Sequence, residues 1–255
     1  MKDQNPMPNL THADIWDADA ARTYDTPGRG MFADDLLKST VDRLAELAAG
    51  RPALEFAIGT GRVAIPLRER GVPVSGIEIS QAMTDRLHEK IDADELPVAI
   101  GDMSKTTVSG RFGLVFLVYN GISNVLSQAE QVATFENAAR HLEPGGCFVV
   151  ENWVPDLRSL PPGQEATVFA AEPGYIGLDT IDTMDQIVVS HHFRFAEDSR
   201  TAELFRSPHR YVWPSELDLM GQLAGFALES RHADWTGSAF TAESRSHVSV
   251  YRLEP

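Results

Sequence analysis

The segment Glu55-Phe56-Ala57-Ile58-Gly59-Thr60-Gly61-Arg62 ends an apolar run on two closely spaced glycines. Glycines at such a place let the backbone turn sharply and approach a ligand, and a helix that follows offers free N–H groups. Alone the pattern is weak. Gly59-x-Gly61-x-x-Ala64 also fits a dinucleotide fingerprint, and a plain strand-to-helix turn needs one glycine anyway. Two carboxylates sharpen it. Glu78, in Gly76-Ile77-Glu78-Ile79-Ser80, closes the next apolar run, where a carboxylate in a doubly wound sheet meets ribose hydroxyls. By itself it is equally a charged strand end. Asp102, in Gly101-Asp102-Met103, follows a third run, beside the place where an adenine would lie; alone it reads as a helix N-cap. Three such features at the ends of successive strands are hard to obtain by accident.

The elements that must position them follow from periodicity. Leu37, Val41, Leu44 and Ala48 share one helical face, with Asp34 and Asp35 suited to its first turn and Gly50 to its end. Strands are expected at 53–58, 72–79, 96–100, 112–118 and 147–150, with helices at 62–70, 81–91 and 128–142 between them. The nearly all-apolar run 112–118 suits a strand covered on both faces. This alternation implies an α/β fold: a Rossmann-like, doubly wound, mostly parallel sheet with right-handed crossovers. The rhythm changes at a Pro-rich loop, 155–163. Two antiparallel strands, 187–195 and 201–212, are expected around a turn at Glu197-Asp198-Ser199. A helix from Pro214 and a closing pair of strands, 226–235 and 247–253, complete the chain. The expected organisation is an N-terminal arm or lid (1–30) and one domain (31–255) that carries an inserted antiparallel β cap (155–212) as its acceptor site. This cap is also a possible homodimer contact.

Composition narrows the partners. The chain has 255 residues, 43% of them hydrophobic and 23% charged, as in an ordinary globular protein. Its formal net charge of −15 repels phosphate backbones, so nucleic acid is not expected, whereas a cationic ligand is tolerated. The single cysteine, Cys147, sits in an apolar strand and reads as packing; neither an internal disulfide nor a metal site is expected. The first residues lack the apolar core of a signal peptide, and no stretch approaches the ~20 apolar residues that span a bilayer. A cytoplasmic location without membrane contact is therefore expected.

With these pieces assembled, the chain resembles the class I S-adenosylmethionine-dependent methyltransferases. The matching pieces are Leu54–Arg62, Gly76–Ser80, Gly101–Met103, Phe112–Asn120 and Leu142-Glu143-Pro144-Gly145-Gly146, over roughly residues 50 to 154. Trp16-Asp17, Tyr24-Asp25 and the strand-rich segment before the last helix make it look closest to bacterial small-molecule methyltransferases of the sugar N-dimethyltransferase and glycine-methylating kind. The resemblance implies S-adenosylmethionine as cofactor. Gly59 and Gly61 would hold its methionine moiety, Glu78 the ribose, and Asp102 and Met103 the adenine, with Glu55, Ile79 and Met83 in the same set. Val118, Tyr119 and Asn120 would border the methyl group, and Trp16 and Tyr24 would close a lid or merely anchor a loose arm. The fourth strand ends Val118-Tyr119-Asn120-Gly121 rather than Asn/Asp-Pro-Pro-Tyr, which speaks against nucleobase or glutamine-amide substrates.

The remaining expectations concern the acceptor, a small molecule methylated on nitrogen or oxygen. Alignment of nucleophile and methyl supplies most of the acceleration, and a hydroxyl or ammonium acceptor must also lose a proton, which a histidine can take. His191 and His192 are adjacent on a predicted strand, so they point to opposite faces and at most one can reach a pocket. Tyr119, Glu151, Trp153 and Tyr211 are candidate acceptor contacts, although an aromatic at strand spacing is as readily core and Glu151 and Trp153 as readily loop. Two rivals stay open: a nicotinamide-dependent oxidoreductase, and a SAM-binding module without catalysis. The first is weakened because no tyrosine has a lysine four residues later. A serine hydrolase is excluded, since Gly121-Ile122-Ser123-Asn124-Val125 lacks the second glycine of a nucleophile elbow.

Overall fold

The structure is a computed structural model and describes residues 15–28, 30–196 and 201–254. Strands β1 (Ala53–Phe56), β2 (Val74–Glu78), β3 (Val98–Ile100), β4 (Phe112–Leu117) and β5 (Leu142–Trp153) run parallel. The antiparallel pair β10 (Phe226–His232) and β11 (Ser246–Leu253) completes one seven-stranded sheet in the order β10-β11-β5-β4-β1-β2-β3. The order reverses direction at β1, which places a crevice at the carboxyl ends of β1 and β4.

Alternation along the strands divides the core into two halves. Ala53, Leu114, Phe116, Cys147 and Val149 face one side, where they meet Leu44 of α2 (Asp34–Ala48), Leu67 of α3 (Ala64–Glu69) and Leu87 of α4 (Gln81–His88). Leu54, Phe56, Val115, Leu117 and Phe148 face the other, against Phe135 of α5 (Gln128–His141) and Met220 of α6 (Pro214–Leu223). Helices thus cover both faces, which is why β4 is buried at all six positions. Burial pushes the Cys147 thiol up to about 11, in keeping with a packing role. Among the described residues no helix is long and apolar enough to cross a membrane.

Three boundaries differ from the expectation. A short helix, α1 (Ala18–Tyr24), lies in the N-terminal arm, its first turn capped by Asp17. Strand β5 runs to Trp153 instead of stopping at Val150, because β11 pairs with it from Cys147 to Trp153. The inserted segment holds four strands rather than two: β6 (Ala166–Glu172), β7 (Tyr175–Asp182), β8 (Ile187–Phe195) and β9 (Ala202–Arg210), an antiparallel sheet of its own. The expected turn at 197–199 lies outside the described residues.

A buried ion pair roots this cap in the main domain. Arg210, at the end of β9, is 5% exposed and donates to Glu216 Oε1 and Gln186 Oε1, each at 2.8 Å, and to Gln131 Oε1 on α5. Burial raises the Glu216 carboxyl, but the hydrogen bonds from Arg210, Gln128 and Gln186 outweigh it and hold the group below the usual carboxylate range. Breaking one side of such a pair is costly, whereas replacing both with apolar groups often is not. Arg210→Ala should lose ~3–5 kcal/mol of stability in urea unfolding. The double substitution Arg210→Met/Glu216→Leu should recover most of that loss.

Candidate cofactor and active site

The carboxyl ends of β1 to β4 open onto one cavity with an empty volume of about 1040 Å³, its solvent-open part included. Its walls follow from how each strand ends. After β1, Ala57 adopts φ 51° and Gly59 φ 57°, so the chain doubles back and both residues line the cavity. After β4, Tyr119 and Asn120 are also left-handed, at φ 50° and 63°. A non-glycine residue held there costs ~1–3 kcal/mol, and such positions cluster at ligand sites.

Four acidic residues line this space, Glu130 at its edge and three that end or follow strands. Glu78 is 5% exposed; its Oε2 accepts from the Gly59 N–H at 2.8 Å and its Oε1 from the Ser80 N–H at 2.9 Å. Burial raises its pKa, and those N–H groups restrain the rise. Glu55 is 3% exposed, and its Oε2 has no hydrogen-bond partner among the described residues. Burial pushes Glu55 well above the usual carboxylate range, and neighbouring Arg62 only partly offsets this. Asp102 behaves differently. Burial raises it, but hydrogen bonds from the Ser104 N–H and hydroxyl and from Lys105 prevail, so it stays ionised more readily than a free aspartate.

An aromatic roof belongs to the arm. Trp16 and Tyr24 stand edge to face at 5.7 Å, and both line the cavity with Met83, Ile79, Met103 and Val118. Burial pushes the Tyr24 hydroxyl up to about 12, with Arg62 acting in the opposite sense. The arm is tied down at three points. The Trp16 carbonyl accepts from Ser80 Oγ at 2.5 Å. Asp25 accepts from Thr60 Oγ1 and pairs with Lys90 Nζ, each at 2.6 Å. The Met31 carbonyl accepts from Arg62 Nη1 at 3.0 Å. Arg62 in turn lies against the Phe32 and Tyr119 rings, 5.9 and 5.4 Å from their centroids.

Most of the expected cofactor residues therefore share one space: Trp16, Tyr24, Glu55, Gly59, Glu78, Ile79, Met83, Asp102, Met103 and Val118 all line it. Gly61 does not. It adopts φ 80°, a left-handed turn that favours glycine, and a Cβ there would also sit 3.0 Å from Ile65 and 3.1 Å from Leu87. Among the acceptor candidates Tyr119 lines the cavity, whereas Asn120, Glu151, Trp153 and Tyr211 stand outside it. Glu151 is a brace: it accepts from the Tyr119 N–H at 2.7 Å and from Trp235 Nε1 at 2.9 Å. Trp153 donates to Ser123, and Tyr211 is buried against the Trp153 and Trp213 rings. Nor does either expected histidine base reach the cavity. His191 bonds with Thr180 and Arg206, and His192 with Tyr175, both within the cap sheet. Sequence reasoning missed Arg62, Thr60, Asn124 and Glu130, which do line it. Arg62 directly follows the second glycine, the one signal that pointed to it.

The arrangement suits a ligand with an ammonium for the orphaned Glu55 oxygen, a diol for Glu78 and a polar ring edge near Asp102. Roofing aromatic faces would favour a positive charge. The fold and site define a nucleoside-cofactor enzyme of the doubly wound class. Comparison with known proteins names the family. A methyltransferase domain model matches residues 53–146. The solved CcbJ methyltransferase of Streptomyces caelestis shares 34% identity, with 95% of this chain and 98% of that one covered and a TM-score of 0.81. The cypemycin N-terminal methyltransferase of a Streptomyces species is 24% identical over 94% of this chain and 98% of its own. A dTDP-4-amino-2,3,4,6-tetradeoxy-D-glucose N,N-dimethyltransferase of Saccharopolyspora spinosa is 29% identical over 56% of this chain and 54% of its own. The chain belongs to the S-adenosylmethionine-dependent methyltransferases.

Glu55 offers a test through protons. Its raised pKa means that it holds a proton above the usual carboxylate range, and a cation bound beside it drives that proton off. Cofactor binding should therefore release a proton and tighten as pH rises through this window, seen by calorimetry in buffers of different ionisation enthalpy. Glu55→Gln should abolish the release. Glu78→Ala should instead weaken S-adenosylhomocysteine by ~1.5–3 kcal/mol, as for a lost charged hydrogen bond.

Proposed function

We propose that this chain methylates the amine nitrogen of a small molecule. When bound, S-adenosylmethionine supplies a methyl group on a cationic sulfur, from which an amine lone pair can take it. Glu55 would hold the cofactor's ammonium, Arg62 its carboxylate, Glu78 the ribose and Asp102 with Met103 the adenine. The Trp16–Tyr24 roof would exclude water, and the rings of Tyr24 and Tyr119 would flank the reacting end. Two of the relatives are named for methylation at nitrogen, one as an N-terminal methyltransferase and one as an amino-sugar N,N-dimethyltransferase. The observation that carries the choice of nitrogen is the cavity wall. Among the described residues lining it, none is a histidine; Glu55, Glu78 and Asp102 are assigned to the cofactor, and Glu130 is held by the Ser127 hydroxyl and Lys105. An amine that enters neutral needs no protein base, and alignment alone can supply several kcal/mol, with ~7–11 as an upper range.

None of the described cap residues lines the cavity; the cap stands beside it, with His209 against Asn124 at the rim, and its opposite face would carry a contact between copies. Ile176, Phe193 and Leu204 form one cross-strand row, and Ile176 and Leu204 are 37% and 41% exposed. We take this apolar row to pair two subunits.

Two measurements follow. With a fixed amine, kcat/KM should rise with pH up to the acceptor's own pKa. A bend that stayed near 6.5 for amines of different basicity would point to a histidine base instead. Ile176→Asp and Leu204→Asp should each shift light-scattering mass from two subunits to one while leaving S-adenosylhomocysteine affinity unchanged.

A further inference from the structure

The cap's second face differs from the apolar one. It starts at the cavity: Asn124 lines the cavity, and its Oδ1 lies 3.1 Å from His209 Nδ1 on β9. Alternate residues continue outward on the same face. Ser207 Oγ is 3.2 Å from His209 Nε2, and across the strands Ser190 donates to Asp179 Oδ1 at 2.6 Å. The next cross-strand row is Gly177, His192 and Phe205. Here the face turns aromatic. His192 lies 5.7 Å from both Phe169 and Phe205 and 6.1 Å from Tyr175, which is stacked on it. The Tyr175 hydroxyl fixes the imidazole at 2.7 Å from Nδ1.

Two backbone features bring Phe169 into this group. The β6–β7 register shifts between Val168 and Ala170, so Phe169 is the extra residue of a bulge. Opposite it stands Gly177, where a Cβ would come within 2.2 Å of the Phe169 ring. The ring thus lies across the glycine. Even so, Phe169 and Phe205 each remain 47% exposed.

We propose that this aromatic patch is a binding site for a flat ring carried by the acceptor, at a distance from the amine that is methylated. The inference rests on the methyltransferase reading and deepens it. From His209 at the cavity rim to Phe205 is four residues of strand, about 13 Å at ~3.3 Å per residue. The acceptor is therefore an elongated amine: its nitrogen enters beneath the Trp16–Tyr24 roof, and its ring stacks among Phe169, His192 and Phe205. Between the two ends it crosses a polar strip of Ser207, His209, Ser190 and Asp179, which suits hydroxyl or amide groups. The same strip argues against a second copy of the chain on this face, since an apolar contact would bury those groups. On the other face the polar groups nearest the row of Ile176, Phe193 and Leu204 already bond one another, His191 with Thr180 and Arg206.

The test uses the full chain saturated with S-adenosylhomocysteine and titrated calorimetrically with ω-phenylalkylamines, from benzylamine to tethers of about 13 Å. Affinity should change little for short tethers and step up threefold to tenfold once the ring reaches the patch, the range of an aromatic pair. Phe205→Ala should remove that step and leave benzylamine unchanged. Gly177→Ala, which displaces Phe169 without deleting an aromatic, should do the same. Affinity that grows smoothly with tether length, equally in wild type and Phe205→Ala, would overturn the proposal. So would absence of binding at every length, or a Phe205→Ala variant that dissociates subunits while its amine binding stays intact. If S-adenosylhomocysteine itself failed to bind wild-type protein, the methyltransferase reading would fall instead.

Discussion

The site is organised around the Glu78 carboxylate, which joins the turns that follow β1 and β2. One oxygen takes the Gly59 N–H after β1 and the other takes the Ser80 N–H after β2. Because Glu78 is buried, both bonds form where water competes poorly, and an ionised carboxylate left without them would be costly. Ser80 passes the constraint on. Its hydroxyl accepts from the Met83 N–H at the start of α4 and donates to the Trp16 carbonyl in the arm. A single acidic side chain therefore sets the glycine turn, the next helix and the position of the roof.

The arm's other ties are ionic where that one is neutral. Burial raises Asp25, but Lys90 and Thr60 outweigh it, and the carboxyl sits below the usual aspartate range. The Lys90 ammonium also donates to the Thr60 carbonyl at 2.9 Å, so the latch grips the same turn that carries Gly59. Cofactor turn and arm are thereby one mechanical unit. The left-handed Ala57 and Tyr119 lie at the two strand ends beside it, so both strained strand ends line the cavity.

Much of this was legible in the chain itself. Glu55, Gly59, Glu78 and Asp102 each stand at a change of hydrophobic period, and a parallel sheet brings all such points to one edge. Gly61 shows the limit of that logic: its glycine character reflects a left-handed turn at φ 80° and close contact with Ile65 and Leu87, which no local pattern distinguishes from contact with a ligand. The sequence places Glu151 and Trp153 beyond the strand, as acceptor contacts or as loop, because β5 is apolar only to Val150. Its last three residues are strand through pairing with β11, a contact between distant parts of the chain. In the cap, β6 and β7 were missed because both faces of a single layer stay partly exposed, so the alternation that betrays a half-buried strand is diluted. The adjacency of His191 and His192 correctly put them on opposite faces, yet neither face of the outer cap reaches the cavity wall. The histidine beside that wall is His209, set there by the fold around Asn124.

The cap is one sheet thick, and that has an evolutionary consequence. Its two faces are distinguished only by the parity of residue number along β7, β8 and β9. Inserting or deleting one residue near the root of a strand exchanges the side chains of its two faces outward from that point. Neighbouring strands would no longer match, so selection can replace residues in the cap freely but can hardly change strand length. Diversification of what this scaffold accepts should therefore run through substitutions and through the bulge at Phe169, where the described cap pairing already absorbs an extra residue.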